Sequence, residues 1–171
     1  MHRTLIAAMT LGFAAGLAAL MPAHAQEARI TRLEVMESGF FTAQRTGVEI
    51  PAPGGVGGRS DQVKDIVFLR TAPAVTAQIG TKFGVRLRTV GSTQGELVNL
   101  KAVWMIPAPG ITNPNSGNTY RESVEVCRVP ARGTGVCGYG LDDAWEVVRG
   151  VWRLEIWEND RKLLEQSFTI Q

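Results

Sequence analysis

Three acidic side chains fall close together late in the chain, Asp142, Asp143 and Glu146, in the run "GYGLDDAWEVVRG". Two carboxylates facing each other across a cleft can protonate a leaving group and activate water, which is the chemistry of glycoside hydrolysis. Neighbouring residues of a strand point to opposite faces, so Asp142-Asp143 reads better as a turn or a cap than as such a pair. Nothing in the spacing sets two of the three across a cleft. The other catalytic inventories are thinner still. The only histidines, His2 and His24, lie in the first 25 residues, which read as a removable leader. A chain that has lost them has no Ser-His-Asp or Cys-His nucleophile, no imidazole base and no histidine metal ligand. No catalytic residue and no metal-ligating or cofactor-binding residue is assigned from the sequence.

Cys127 and Cys137 are the two cysteines, in "CRVPARGTGVC". An even count in an exported chain points to a disulfide. The intervening Pro, Gly and Arg read as a loop joining two strands, and closing so short a loop stabilises by about 3 kcal/mol in the chain-entropy picture. A redox pair is normally C-x-x-C, and a structural zinc site needs four ligands. Two free buried thiols are the remaining alternative.

Three further stretches raise chemistry and answer it poorly. "PAPGGVGGRSD", Pro51 to Asp61, is glycine-rich but fits neither G-x-x-x-x-G-K-S/T nor a strand-to-helix G-x-G-x-x-G, so a flexible surface loop is expected rather than a phosphate cradle. Arg86 and Arg88 alternate with apolar residues in "KFGVRLRTV"; an anion patch is one reading and the solvated outer face of a half-buried strand the preferred one. "PAPGITNPNSGN" offers Asn and Ser oxygens but no acid and no EF-hand spacing for calcium.

The elements that would position these residues are strands. In "KFGVRLRTV", Phe83, Val85, Leu87 and Thr89 share a face. In "LVNLKAVWMIP", Val98, Leu100, Ala102, Trp104 and Ile106 do, which makes Trp104 a core anchor rather than a ligand platform. "ARITRLEVMESGFF" reads as a first strand with Leu33 and Val35 on one face and a bulge or early end at Gly39. "DIVFLRT" reads as a short apolar strand, and "TYRESVEVC" as another with Tyr120, Val124 and Val126 together. The closing "VWRLEIWENDRKLLEQSFTIQ" reads as a hairpin. Trp152, Leu154 and Ile156 oppose Arg153, Glu155 and Trp157; then Leu164, Phe168 and Ile170, with Gln166 out of place, oppose Leu163, Glu165, Ser167 and Thr169. A helix over "RKLLEQSF" is the rival, disfavoured by the β-branched and aromatic end. No stretch holds a capped helical period. Seven to eight short strands at regular spacing between Gly/Pro/Asn turns argue for an all-β, immunoglobulin-like antiparallel sandwich, with a closed small barrel as the alternative.

Residues 1–25 have the anatomy of a secretory signal peptide: "MHR", an apolar run, and "AHA" before Gln26. An uncleaved anchor is the rival, but the run is short for a span and Pro22 with small residues marks processing. No Cys follows for lipidation and no twin-Arg precedes, so the general secretory route is expected, to the periplasm or the medium. Cleavage leaves 146 of the 171 residues, 26–171, as one domain with no membrane span. It also removes Arg3, leaving 17 basic against 16 acidic side chains, or +1, which gives no electrostatic case for nucleic acid.

Several pieces together resemble the bacterial family of domains of unknown function numbered 3859: "ESGFF", "APAVTAQIGTKFGVRLRTV", "GYGLDDAWEVVRGVWRLEIW" and "QSFTI", with Trp145, Gly150, Trp152 and Phe168 the most specific spacing. The Gly-rich loop and the cysteine pair depart from the family pattern. The resemblance implies a β-sandwich and carries no activity, cofactor or catalytic residue with it. The expectation is a non-catalytic exported module that binds a partner protein, an envelope polymer or a small ligand. Alternatives are a structural or chaperone-like envelope component and a carboxylate-dependent glycan hydrolase using Asp142, Asp143 or Glu146. Trp157, opposite Trp152, is a candidate contact residue, with a packed second face under a loop as the rival reading.

Overall fold

The computed structural model describes residues 30–70, 74–91 and 96–171; the leader expected over residues 1–25 lies outside the described residues. Two sheets face each other, antiparallel throughout except where the short β3 pairs in parallel with β11. The first holds β1 (Arg32–Pro51), β2 (Arg59–Arg70), β4 (Lys82–Val90) and β9 (Thr134–Gly140), in the order β2-β1-β4-β9. The second holds β3 (Ala74–Val75), β5 (Leu97–Met105), β8 (Glu122–Pro130), β10 (Gly150–Glu158) and β11 (Arg161–Ile170), in the order β3-β11-β10-β5-β8. A small ribbon of β6 (Ile111–Thr112) and β7 (Thr119–Tyr120) stands apart. Eight strands are longer than two residues, four in each large sheet, the expected number for the expected architecture. The two sheets are hydrogen-bonded separately, so the molecule is a sandwich and not a closed barrel.

Period-two burial carries the core. Phe83, Val85 and Leu87 on β4 are fully buried, as are Leu100 on β5, with Ala102 and Trp104 nearly so. Trp152, Leu154 and Ile156 on β10 and Phe168 on β11 meet them at 0% exposure. Burying each such side chain contributes roughly 1.5–3 kcal/mol, and aromatic pairs add a little more. Phe83 is the hub: its ring stands edge-on to Trp104 (5.4 Å) and Trp152 (5.5 Å). The Trp152 indole N–H, which would be orphaned in a dry core, donates to the Val148 carbonyl at 2.8 Å.

The closing hairpin pairs from Gly150↔Ile170 to Glu158↔Arg161, and Asn159 makes its turn at φ 52°. One detail of register departs from the alternation. Ile156 pairs with Leu164 while Trp157 pairs with Lys162, so Leu163 is an extra residue in a bulge. The bulge resets the parity, and Leu163 and Leu164 both pack against the core instead of opposing one another.

Four other expectations are corrected. β1 does not end at Gly39 but continues for 20 residues, through several register shifts, to Pro51. The strand expected over "DIVFLRT" starts earlier, at Arg59, because the long β1 gives it a partner. On β8 the face carrying Val124 and Val126 points away from the core, and Val126 is 63% exposed. Ser123, Cys127 and Val129 are buried, so Glu125 between them points inward. Finally, the segment between the cysteines is mostly strand, turning tightly at Ala131–Gly133 between β8 and β9. Those strands belong to different sheets, so the Cys127–Cys137 disulfide (Cα–Cα 5.6 Å) staples the edge of one sheet to the edge of the other.

Candidate functional site

Beyond the disulfide, toward Glu125 on β8 and Tyr139 on β9, the two edges are not hydrogen-bonded to each other. A cleft of about 590 Å³ opens there. Its position follows from register. Cys127 lies beside Leu100 and Cys137 beside Val85; two residues on, Glu125 lies beside Ala102 and Tyr139 beside Phe83. Each strand therefore places its next inward side chain on a wall of the opening. Trp104, Phe41 and Tyr139 form an aromatic lining, and Gly138 leaves room for Phe41: a Cβ there would sit 2.6 Å from the ring.

The loop after β1 closes one side. It was expected to be a flexible surface loop. Instead Ala52 and Val56 are buried, the Val124 N–H donates to the Gly54 carbonyl at 2.8 Å, and Asn113 Nδ2 donates to the Val56 carbonyl at 2.9 Å. Gly54 permits this approach, since a Cβ would lie 2.8 Å from the Val124 carbonyl oxygen. Gly54 thus serves backbone-to-backbone docking.

The three carboxylates named from the sequence gather at the other end. Asp143 precedes the 3-10 helix Ala144–Glu146 as its N-cap, as a turn-or-cap reading requires. Glu146 is buried, and its Oε2 accepts the backbone N–H groups of Asp142 (2.7 Å) and Asp143 (3.0 Å). Burial raises the Glu146 pKa, those two hydrogen bonds offset part of the rise, and the charges of Asp142 and Asp143 add to it. Asp142 takes Lys82 Nζ at 2.9 Å and Arg45 Nη2 at 2.7 Å. Burial pushes its carboxyl up, but the two cations outweigh burial and hold it below the usual range. Asp142 and Glu146 therefore already perform structural work: one anchors β1 and β4, the other caps a turn.

Glu125 was not singled out from the sequence, although a signal existed: an acid two residues before a buried cysteine on a strand must share its inward face. Its carboxyl accepts a long hydrogen bond from Ser123 Oγ, at 3.4 Å, and is approached by Ser60. Burial raises its pKa to about 7; Ser123 and Ser60 pull it down and Glu146 pushes it up. Among the described residues no cation pairs with Glu125 or Glu146. Tyr139, 6% exposed, has its hydroxyl pKa raised by burial first and then by Glu146, Glu125 and Asp142. Neither its hydroxyl nor the Trp104 indole N–H, on a residue 1% exposed, finds a hydrogen-bond partner among the described residues. Buried polar groups are normally bonded, so two unpaired donors on the lining of one cleft call for a reason.

The remaining candidates resolve simply. Arg86 pairs with Glu37 and lies 5.3 Å over the Phe68 ring, and Arg88 pairs with Glu34 at 2.5 Å, so this face is a neutralised outer surface and no anion patch. Trp157 is half-buried, with Lys101 and Lys162 standing over its ring at 5.3 and 5.7 Å. No group of three Cys, His, Asp or Glu side chains suited to a metal occurs among the described residues. Nor is any helix among them long and apolar enough to cross a membrane.

Two facing, mainly antiparallel sheets, joined at one edge by a disulfide and parted beyond it by a polar cleft, define an immunoglobulin-like domain. The chain belongs to the family Domain of unknown function DUF3859, which it matches over residues 34–170. It is similar to the crystal structure of an immunoglobulin-like protein from Pseudomonas aeruginosa, with 26% identity and a TM-score of 0.56, over 82% of this chain and 97% of that one. A Pseudomonas fluorescens alkylpurine DNA glycosylase, bound to DNA containing an abasic site analog, shows 13% identity and a TM-score of 0.33 over 59% of this chain and 28% of that one. That likeness is too slight to carry an argument. No curated protein matches.

Proposed function

We propose that the protein is an exported, non-catalytic binding module, and that it takes a small ligand or a protruding group of an envelope partner into the cleft between β8 and β9. One observation carries the reading: a cleft of about 590 Å³ is lined by Tyr139 and Trp104, buried residues whose hydroxyl and indole N–H find no partner among the described residues. That volume is in the range of small-molecule sites. Export rests on the leader-like residues 1–25, and a periplasmic or extracellular location follows from it. The inventory of the cleft supports binding over turnover. Asp142 is held by Lys82 and Arg45, and Glu146 by two backbone N–H groups, so neither is free to act as a base.

The rival reading, a carboxylate-dependent hydrolase, is favoured by one feature: Glu125, with a pKa of about 7, is poised as a general acid in the same cleft as Glu146. A screen of the secreted domain against envelope glycans, esters and peptides separates the two. Saturable binding with shifted amide resonances on β8 and β9, and no turnover, is the expected result. Turnover that disappears on Glu125→Gln with the fold intact overturns the proposal.

A further inference from the structure

Resting on the reading of the cleft as a ligand site, we infer that its ligand is a small organic cation, a primary ammonium or guanidinium group seated between the carboxylates of Glu125 and Glu146 and beside the Tyr139 hydroxyl. The argument begins with charge. Of the other acids of the rim, Asp142 has Lys82 and Arg45, Asp61 has Arg45 at 2.9 Å, and Glu49 has Arg59 at 3.3 Å, while Asp143, without an ion pair among the described residues, is exposed to solvent at the N-cap of the 3-10 helix. Glu125 and Glu146 have none among the described residues, and each lines the cleft. Burying a carboxylate without a counter-charge is costly, and a cationic ligand is what removes the cost.

The chemistry of the donors narrows the class. A metal ion wants three or more converging ligands, and no such group is present among the described residues. An ammonium or guanidinium instead needs a few acceptors for its N–H groups, supplied here by two carboxylates and one hydroxyl. The unpaired Trp104 N–H and Tyr139 O–H add donors for an oxygen carried on the body of the ligand. An anion fits poorly, because Lys82, Arg45 and Arg59 are already occupied and Arg128 extends into solvent from the outward face of β8.

The same geometry couples binding to protons. Glu125 is faced by Ser60 of β2, by Ser123 of its own strand, by Glu146 of the 3-10 helix and by Tyr139 of β9. Arg45 of β1 and Lys82 of β4 lie on the same cleft but are spent on acids, and Arg128 is exposed on the outward face of β8. Seating an ammonium requires the ionised form of Glu125. The ligand must therefore displace a proton below pH 7 and bind unaided above it, with affinity rising as pH rises.

The test uses the secreted domain and a panel of alkyl- and arylalkylamines, diamines and guanidines, each matched with the alcohol of the same shape, by titration calorimetry with amide chemical shifts as the site readout. Amines should bind about tenfold or more tighter than their alcohols, the increment of a charge-assisted hydrogen bond. Their affinity should be about tenfold higher at pH 8 than at pH 6, following ionisation of a group with a pKa near 7. Below pH 7, calorimetry in buffers of differing ionisation heat should show a proton released per amine bound, a measurement on the unaltered protein that needs no variant to fold. Glu125→Gln should cut the preference several-fold and remove most of the pH dependence, leaving the part that belongs to Glu146. Alcohols or neutral sugars binding as well as amines, with cleft resonances shifted and no pH dependence, overturn the cation inference and leave the cleft a ligand site. Failure of every compound to shift the cleft resonances overturns both.

Discussion

Replacing Glu125 by Gln should make the protein more stable, by a margin that opens above pH 4.5 and is complete above pH 7. The folded pKa is about 7 against 4.5 for the free side chain, a rise of about 2.5 units caused chiefly by burial. Each unit is 1.36 kcal/mol, so ionised Glu125 costs the fold about 3 kcal/mol. The sign follows from proton counting. Between pH 4.5 and 7 the folded state holds the proton that the unfolded chain has released, so stability falls as pH rises through that window and levels off above it. Below pH 4.5 both states are protonated and no penalty remains. Gln preserves the shape and the Ser123 contact but cannot ionise. The variant and the parent should therefore unfold at nearly the same urea concentration at pH 4.5. They should part progressively, until the variant is more stable by about 3 kcal/mol at pH 8.5. Glu146, also raised, leaves a residual slope in both proteins. Parallel curves for the two proteins from pH 4.5 to 8.5 would refute the placement of Glu125 on the inward face. A stabilising substitution at a cleft residue would in turn be the mark of a side chain kept for binding.

Trp152→Ala should cost roughly 3–5 kcal/mol in urea unfolding, since the side chain is fully buried and its N–H is bonded; a loss under about 1 kcal/mol would mean the hairpin register is wrong. Unfolded, unreduced protein should show no free thiol on titration, and the Cys127→Ser, Cys137→Ser double variant should lose about 3 kcal/mol. N-terminal sequencing of the exported protein should begin at Gln26, whereas a start at Met1 would make residues 1–25 an anchor.

Much of the architecture was legible in the residues themselves. The alternation of Phe83, Val85 and Leu87, and of Trp152, Leu154 and Ile156, specifies strands with one buried face, because side chains on a strand alternate with a period of two whatever surrounds them. The cysteine pair and the Asp142-Asp143 cap were equally local, each resting on chemistry within a few residues. What the sequence could not decide was parity and partnership. "TYRESVEVC" alternates either way, with valines on one face and Ser, Glu and Cys on the other; apolarity alone favours the valines. Only the docking of β8 against β5, with Cys127 tied across to β9, turns Glu125 inward and Val126 out. The Pro51–Asp61 glycines likewise meant a flexible loop until the β8 backbone arrived to bond Gly54. The cleft itself belongs to neither strand. It exists because two sheets that share a disulfide do not share hydrogen bonds beyond it, and that is a property of residues far apart in sequence brought to one edge by the fold.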